Sequence, residues 1–278
     1  MKRRSSFIVL AALMALIGTA CAEEAAPPSP GGNGETAAPT VPTIQEGILS
    51  VGSCLDYPPF ESVEGGDEVG FDVDLAEEIA GRLGLEVEWV RADFDTIFTA
   101  VAGQQFDMVA AASTITEERQ EVVDFSDPYY NSRQSLVVVS GSGIASTDDI
   151  GEGDRVGVQR GTTGKAFADE VLGSQGAEIV SFQAAPDAFR DLEAGNLVAV
   201  VNDEPSSAEI IEDLPSLEIA QPIDTDERYG FALSKDNPEL TEAVNGALAE
   251  IIADGTYATI FETYFPGVEV PPEFQPTA

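Results

Sequence analysis

Residues 114–130, TITEERQEVVDFSDPYY, are the most informative part of this chain. An apolar, strand-like run leads into it, and Arg119 then lies at the start of a predicted helix. An arginine held at a helix start beside a strand end can bind a small carboxylate through two parallel hydrogen bonds. From spacing alone, a surface salt bridge to Glu117 or Glu118 is the alternative, and such a bridge stabilises little. The acidic and aromatic residues 124–130 are predicted to form a crossing between two lobes.

The N-terminal residues are typical of an exported lipoprotein. Basic residues open the chain, an apolar run covers residues 7–17, and small residues precede Cys21. This order predicts a secretory signal peptide over residues 1–20, because the apolar run is shorter than the about 20 residues that span a bilayer. Small residues ending in cysteine resemble a lipobox, in which Cys21 becomes the lipidated mature N-terminus. Ordinary cleavage with an incidental cysteine stays open as the alternative.

The segment after Cys21 is predicted to be a flexible linker. Residues 22–46 are rich in Pro, Gly, Ala and Glu and contain almost nothing apolar to bury. A lipid on Cys21 followed by a linker over residues 21–46 would hold a folded domain near a membrane but outside it. We therefore expect an extracytoplasmic protein anchored to the cell membrane, at a cell surface or on a periplasmic face.

Composition narrows the classes of function. The chain has 50 acidic against 13 basic residues, a formal net charge of −37, and 43% apolar residues, enough for a core of one large domain or two lobes. Such a charge repels nucleic acid, so no nucleic-acid partner is expected. There is no histidine and only Cys54 besides Cys21, so we expect no metal site, no cofactor, no disulfide and no Ser-His-Asp triad. The acidity fits a saline habitat or a generally acidic proteome.

Strand and helix patterns alternate along the chain and begin again at Arg155. Strands are predicted over residues 48–54, 85–90, 107–111, 155–159, 178–182, 197–202 and 229–234, and helices over 71–83, 95–102, 186–194, 238–253 and 256–265, with a further helix after Gly161. Gly84 lies where a helix C-cap is expected. This alternation predicts an α/β fold with two lobes, each an open sheet flanked by helices. Ligand sites in such folds lie beyond the carboxyl ends of the strands.

The T-I-T-E-E-R run at residues 114–119 and the Y-P-P-F-E loop at residues 57–61 resemble the type 3 extracellular solute-binding proteins, the amino-acid receptors of ABC importers. The likeness extends over about residues 47–267. It implies a periplasmic-binding-protein-like fold whose last elements return to the first lobe, so that the chain makes two hinge crossings. The implied parts are a first lobe of residues 47–131 plus 229–270, a second lobe of residues 132–228, and a tail of residues 271–278.

The resemblance assigns three residues to the backbone groups of an amino acid. Residues 159–164 end a strand and open a helix, where free N–H groups can meet an anion. The backbone of Thr162 would bind the same carboxylate as Arg119, from the opposite lobe. Asp203 follows an apolar strand and would accept the α-ammonium group, whereas a helix N-cap is its structural alternative.

Four further residues would complete the walls of the site. Thr114 would add a hydroxyl and backbone donors, and Ala112 only backbone groups. Tyr57 and Phe94 would sandwich the aliphatic part of the ligand and add cation–π attraction to its ammonium. Core packing is the alternative for both aromatic residues.

The side-chain pocket is predicted to be uncharged. Cys54 stands where relatives often have an aspartate that contacts the ligand's side chain, and Gln159 and Asn202 are also uncharged. We therefore favour a polar, uncharged amino acid such as glutamine. The neighbouring Asp56 leaves a cationic ligand open, and Arg160 leaves an acidic one open.

The predicted function is a monomeric receptor that binds a free L-amino acid by hinge closure and delivers it to ABC permease subunits. Two alternatives share the fold: an enzyme like cyclohexadienyl dehydratase, which uses an acidic residue in the cleft, and an amino-acid sensor module. No residue stands out as a catalyst, and no kinase or further transmembrane segment is apparent. We therefore expect a protein that is not an enzyme.

Overall fold

The computed structural model describes residues 41–276. The predicted signal peptide, the predicted lipidation site Cys21 and most of the predicted linker lie outside the described residues. Among the helices of the described range, none combines the length and the apolar character that crossing a membrane requires.

Strands and helices alternate as the sequence predicts. The strands are β1 (Ile48–Ser53), β2 (Ser62–Glu64), β3 (Asp67–Val69), β4 (Glu86–Arg91), β5 (Met108–Val109), β6 (Asp124–Phe125), β7 (Tyr130–Val139), β8 (Arg155–Gln159), β9 (Glu178–Phe182), β10 (Ala199–Asp203), β11 (Leu217–Tyr229) and β12 (Ala232–Leu233). The α-helices are α1 (Phe71–Leu83), α2 (Phe94–Ala102), α3 (Glu117–Val122), α4 (Thr163–Phe167), α5 (Ala185–Glu193), α6 (Glu204–Glu212), α7 (Pro238–Ala253) and α8 (Thr256–Tyr264). Gly84 ends α1 in the left-handed conformation, with φ 70°, as predicted.

The first sheet has five strands in the order β4-β1-β5-β12-β6. Strand β1 runs parallel to β4 and β5, whereas β12 is antiparallel to β5 and β6. Successive residues of β5 point to opposite faces: Met108 packs with α1, α7 and α8, and Val109 packs with α2. The sheet is therefore covered by helices on both faces.

The second sheet has five strands in the order β11-β7-β10-β8-β9. Strand β8 is parallel to β9 and β10, and β7 is antiparallel to β10 and β11. Val137 and Val138 of β7 belong to different apolar clusters, one on each face. The predicted two-lobed α/β fold with open sheets flanked by helices is thus confirmed.

Two adjacent connections join the sheets. The chain leaves the first sheet after Phe125 and returns to it at Ala232, and the Tyr129 N–H donates to the Tyr229 carbonyl between them at 2.9 Å. The single strand predicted over residues 229–234 is accordingly two: Tyr229 ends β11 in the second sheet, and β12 lies in the first. The predicted strand was wrong in this respect because the crossing interrupts it.

Candidate functional site

A narrow cavity lies between the lobes, where the carboxyl ends of β1, β5, β8 and β10 meet. Except for Asn202, all the residues predicted to bind the ligand line it, namely Cys54, Tyr57, Phe94, Ala112, Thr114, Arg119, Gln159, Thr162 and Asp203. Glu61, Ala111 and Thr163 also line it and were not predicted. Asn202 lies behind the wall, where its Oδ1 accepts a hydrogen bond from the Tyr57 hydroxyl at 3.1 Å.

Arg119 contacts both lobes. It lies on α3, and its Nη1 donates to the Thr114 carbonyl at 2.6 Å while its Nη2 donates to the Gly161 carbonyl at 3.0 Å. The guanidinium stands 4.5 Å from the ring centre of Phe98 and 5.2 Å from that of Phe94. Burial lowers the pKa of Arg119 to about 10, so the side chain remains charged at neutral pH. Its contacts are therefore those of a positioned cation, not of the surface salt bridge that spacing alone allowed.

Asp203 directs its carboxylate into the cavity. It ends β10 and occupies the N-cap position of α6, but its side chain makes no capping hydrogen bond. Its Oδ2 accepts from the Tyr57 hydroxyl at 2.7 Å, and its Oδ1 accepts from the Gln134 amide. Burial, followed by the negative charge of Glu227, raises the pKa of Asp203 to about 7.

Glu227 is a buried carboxylate behind the cavity that sequence reasoning missed. It lies on β11, and its Oε2 accepts from the hydroxyls of Thr114 at 2.6 Å and Thr163 at 2.8 Å. Its Oε1 accepts from Gln134 Nε2 at 2.9 Å and from the Thr225 hydroxyl at 2.8 Å. The Thr114 hydroxyl proton is thus directed to Glu227, so this hydroxyl is not free to donate to a ligand as the sequence suggested. In a chain with fifty acidic residues, no local signal marks this one.

Glu61 is the second carboxylate that sequence reasoning missed. It closes the Y-P-P-F-E loop and is only 1% exposed, yet its Oε2 has no hydrogen-bond partner within the described part of the chain. Burial, and then the charge of Asp72, raise the pKa of Glu61 well above its ordinary value. The loop motif pointed to this position, but the pattern gave no reason to assign its carboxylate a role.

The second lobe contributes a close backbone approach. Thr162 caps α4, accepting from Lys165 N at 3.0 Å and donating to the Gln159 carbonyl at 2.8 Å. Gly161 has φ +76°, and a Cβ there would lie 2.9 Å from the Asp95 Cα in the first lobe. The position therefore favours glycine on two grounds, its backbone conformation and the contact between lobes.

The first lobe fixes Ala112 and Cys54 at the cavity. Ala112 has φ +45°, and its N–H donates to Asp72 Oδ2 at 2.8 Å, so this N–H is already paired within the first lobe. Asp72 also accepts from the Tyr129 hydroxyl at 2.7 Å, which ties this turn to the crossing. Cys54 is a buried free thiol, and burial raises its pKa. The thiol is therefore neutral.

Residues 49–267 match the family described as bacterial extracellular solute-binding proteins, family 3. Over 239 residues, the chain is 34% identical to the lysine/arginine/ornithine-binding periplasmic protein of Escherichia coli strain K12, covering 83% of this chain and 92% of that protein.

Solved structures agree with this match. An ancestral arginine-binding protein bound to arginine superposes with a TM-score of 0.76 at 40% identity, covering 79% of this chain and 99% of the other. An ancestral amino acid-binding protein described as a precursor of cyclohexadienyl dehydratase has a TM-score of 0.73 at 38% identity, covering 79% of this chain and 96% of the other.

Proposed function

Because this chain belongs to family 3 of the bacterial extracellular solute-binding proteins, we propose that it binds a free L-amino acid between its lobes and delivers it to the membrane subunits of an ABC importer. The observation that carries this proposal is that Arg119 and Asp203, which come from different lobes, line one cavity. A cation and an anion facing a common space match the carboxylate and ammonium of an amino-acid zwitterion.

The ligand's carboxylate would take the place of the two carbonyls at Arg119. Two parallel charge-assisted hydrogen bonds fit the fork of a guanidinium, and stacking on Phe98 holds that fork in one plane. The backbone at Thr162 would reach the same carboxylate from the second lobe. Asp203 would accept the ammonium, with Tyr57 and Phe94 against the aliphatic part of the ligand.

Binding would favour the arrangement in which the lobes approach each other. The carboxylate and the ammonium each engage a different lobe, so the ligand itself bridges the hinge. The liganded shape is then what the permease recognises, and no chemical change of the ligand is involved. We also propose that the protein acts as a monomer tethered through lipid on Cys21. Mass measurement of the mature N-terminus tests the lipid, and size-exclusion chromatography tests the monomer.

A thermal-shift screen with the standard L-amino acids tests the receptor function. At least one amino acid should raise the melting temperature of the purified protein, and Arg119→Ala should abolish that shift because the carboxylate loses its charged partner. Arg190→Ala is the matched control, since Arg190 is an exposed arginine paired with Asp187 on α5. A screen in which no amino acid stabilises the protein would exclude the proposal. Formation of product from prephenate or arogenate would instead establish an enzyme.

A further inference from the structure

A continuous chain of hydrogen bonds runs behind the cavity wall from Arg119 to Asp203. Arg119 Nη1 donates to the Thr114 carbonyl at 2.6 Å, and the Thr114 hydroxyl donates to Glu227 Oε2 at 2.6 Å. Gln134 Nε2 donates to Glu227 Oε1 at 2.9 Å and also to Asp203 Oδ1. The two charged residues that would bind the carboxylate and the ammonium of a ligand are thus joined through Glu227.

Glu227 is placed in this chain by an irregularity of strand β11. The register of β11 against β7 shifts between Ile223, which pairs with Gln134, and Glu227, which pairs with Ser132. Asp226, immediately before Glu227, has a left-handed backbone with φ +51°, which is uncommon outside glycine. Irregularities of this kind give a side chain a new direction. This one brings the Glu227 carboxylate beside the side-chain amide of Gln134.

Gln134 has its orientation fixed by the two carboxylates. Its Nε2 donates to both Glu227 and Asp203, while its Oε1 is buried without a hydrogen-bond partner among residues 41–276. The reverse orientation would turn Oε1 toward two carboxylates. The Oε1 side is also tightly packed, since a Cβ at Gly164 would lie 2.6 Å from this atom. Gln134 therefore transmits the position of Glu227 to Asp203.

The charge of Glu227 acts on both ends of the chain. Burial lowers the pKa of Arg119 to about 10, and the negative charges of Asp203 and Glu227 oppose that change. Burial, followed by the charge of Glu227, raises the pKa of Asp203 to about 7. Electrostatics and hydrogen bonding thus agree that a change at Glu227 reaches both charged groups.

We propose, on the premise that the protein is an amino-acid receptor, that Glu227 is a positioning residue which fixes the separation between the Arg119 guanidinium and the Asp203 carboxylate. It would thereby select α-amino acids over their β-homologues, which keep the side chain but have one additional CH₂ between the carboxylate and the carbon that bears the ammonium. Two charged groups held at one separation pair fully with only one of these spacings. Without the chain, each group is free to adjust to the longer one.

Two substitutions interrupt the chain at neighbouring links. Glu227→Gln replaces two acceptor oxygens by one, so either the Gln134 amide or the hydroxyls of Thr114 and Thr163 lose their acceptor. Thr114→Val removes only the hydroxyl and keeps the carbonyl that accepts from Arg119. Glu218→Gln is the matched control, because Glu218 is an exposed glutamate on the same strand.

Isothermal titration of the purified protein measures this selection. The probes are the standard L-amino acid that raises the melting temperature most and its L-β-homologue, for example L-glutamine and L-β-homoglutamine. The wild type should bind the α-amino acid at least about tenfold more tightly than the β-homologue, in line with the loss of one hydrogen bond to a charged group. Glu227→Gln and Thr114→Val should each weaken binding of the α-amino acid by about tenfold and reduce the ratio of the two affinities by at least about threefold.

The affinity ratio separates positioning from a structural role. A residue that only stabilises the fold or the closed arrangement would weaken both probes equally and leave their ratio unchanged. A ratio within about twofold of the wild-type value in either folded variant, or a wild type that does not discriminate between the probes, would overturn the proposal but leave the receptor function intact. If Glu227→Gln does not fold, Thr114→Val decides alone. Glu218→Gln should bind both probes as the wild type does, and binding of no standard amino acid would refute the receptor function itself.

Discussion

Ligand affinity should fall steeply as the pH drops below about 7, because Asp203 must lose a proton before it can accept an ammonium group. Burial and the charge of Glu227 raise the pKa of Asp203 to about 7, from an ordinary value of 3.8. The positive charge of a bound ammonium would lower that pKa again. At a pH between the pKa of Asp203 in the complex and its pKa without ligand, binding releases one proton, so the affinity rises with pH.

The size of the effect follows from that pKa. At about pH 5, roughly two units below the pKa of Asp203, only about 1% of this carboxyl group is ionised. The loss of ionised carboxylate costs about 2.7 kcal/mol of binding free energy. The dissociation constant should therefore be about a hundredfold larger at about pH 5 than at about pH 8.

Calorimetric titration with L-arginine and L-glutamine between about pH 5 and about pH 8 measures this dependence. Repeating it in buffers with different ionisation enthalpies counts the protons released. Asp203→Asn should bind more weakly and lose most of the pH dependence for glutamine. A dissociation constant that stays level over this pH range for every amino acid bound would refute the reasoning about Asp203.

The same raised pKa has the opposite effect on the protein without ligand. The protonated carboxyl of Asp203 suits its buried place, so its contribution to folding stability is complete below about pH 4 and is lost as the pH rises through about 7. Asp203→Asn should flatten that part of the melting-temperature profile. The two trends together separate ligand binding from folding, since ligand affinity rises with pH whereas the contribution of Asp203 to folding stability falls over the same pH range.

Two further substitutions test separate points, namely the contact between the lobes and the charge that acts on Asp203. Gly161→Ala should weaken ligand binding while leaving the far-ultraviolet circular dichroism unchanged, because the added Cβ would lie 2.9 Å from the Asp95 Cα; Gly246→Ala on α7, where nothing lies within 4 Å, is the control, and wild-type affinity in Gly161→Ala would contradict the expectation. Glu227→Gln should lower the pH midpoint of binding, because it removes the charge that helps to raise the pKa of Asp203, and an unchanged midpoint would show that burial alone sets it.

The sequence predicted the elements that have a clear period and missed those that do not. Helix α1 and strand β4 show regular apolar spacing, and both were predicted within one or two residues. Strand β11 was missed because its register shifts after Ile219 and again after Ile223, so alternation does not persist along its 13 residues. It also contains Pro222 and several acidic residues, which are typical of a loop. Its pairing with β7 depends on contacts that no local pattern encodes.

The residues of the candidate site likewise divide into those that the sequence predicted and those that it missed. Arg119, Thr162 and Asp203 stand in recognisable motifs at the ends of strands, and the fold brings such ends together. Glu227 is one acidic residue in a strongly acidic chain, so only its burial sets it apart, and burial depends on the tertiary structure. Glu61 stands in a recognisable loop motif, but the motif gave no reason to assign its carboxylate a role. Composition therefore hid Glu227, whose charge helps to raise the pKa of Asp203.

In the proposed function, Arg119 would connect ligand binding with closure of the lobes. Its guanidinium donates to the Thr114 carbonyl in the first lobe and to the Gly161 carbonyl in the second, and both acceptors are neutral. A ligand carboxylate would replace these two carbonyls as a charged acceptor, and charge-assisted hydrogen bonds are roughly twice as strong as neutral ones. Because a ligand shifts a conformational equilibrium only by its differential affinity, this exchange favours closure only where the second lobe supplies further contacts. In the proposed site, Asp203 and the backbone at Thr162 would supply them, so the carboxylate–ammonium pair of the ligand would provide the differential affinity.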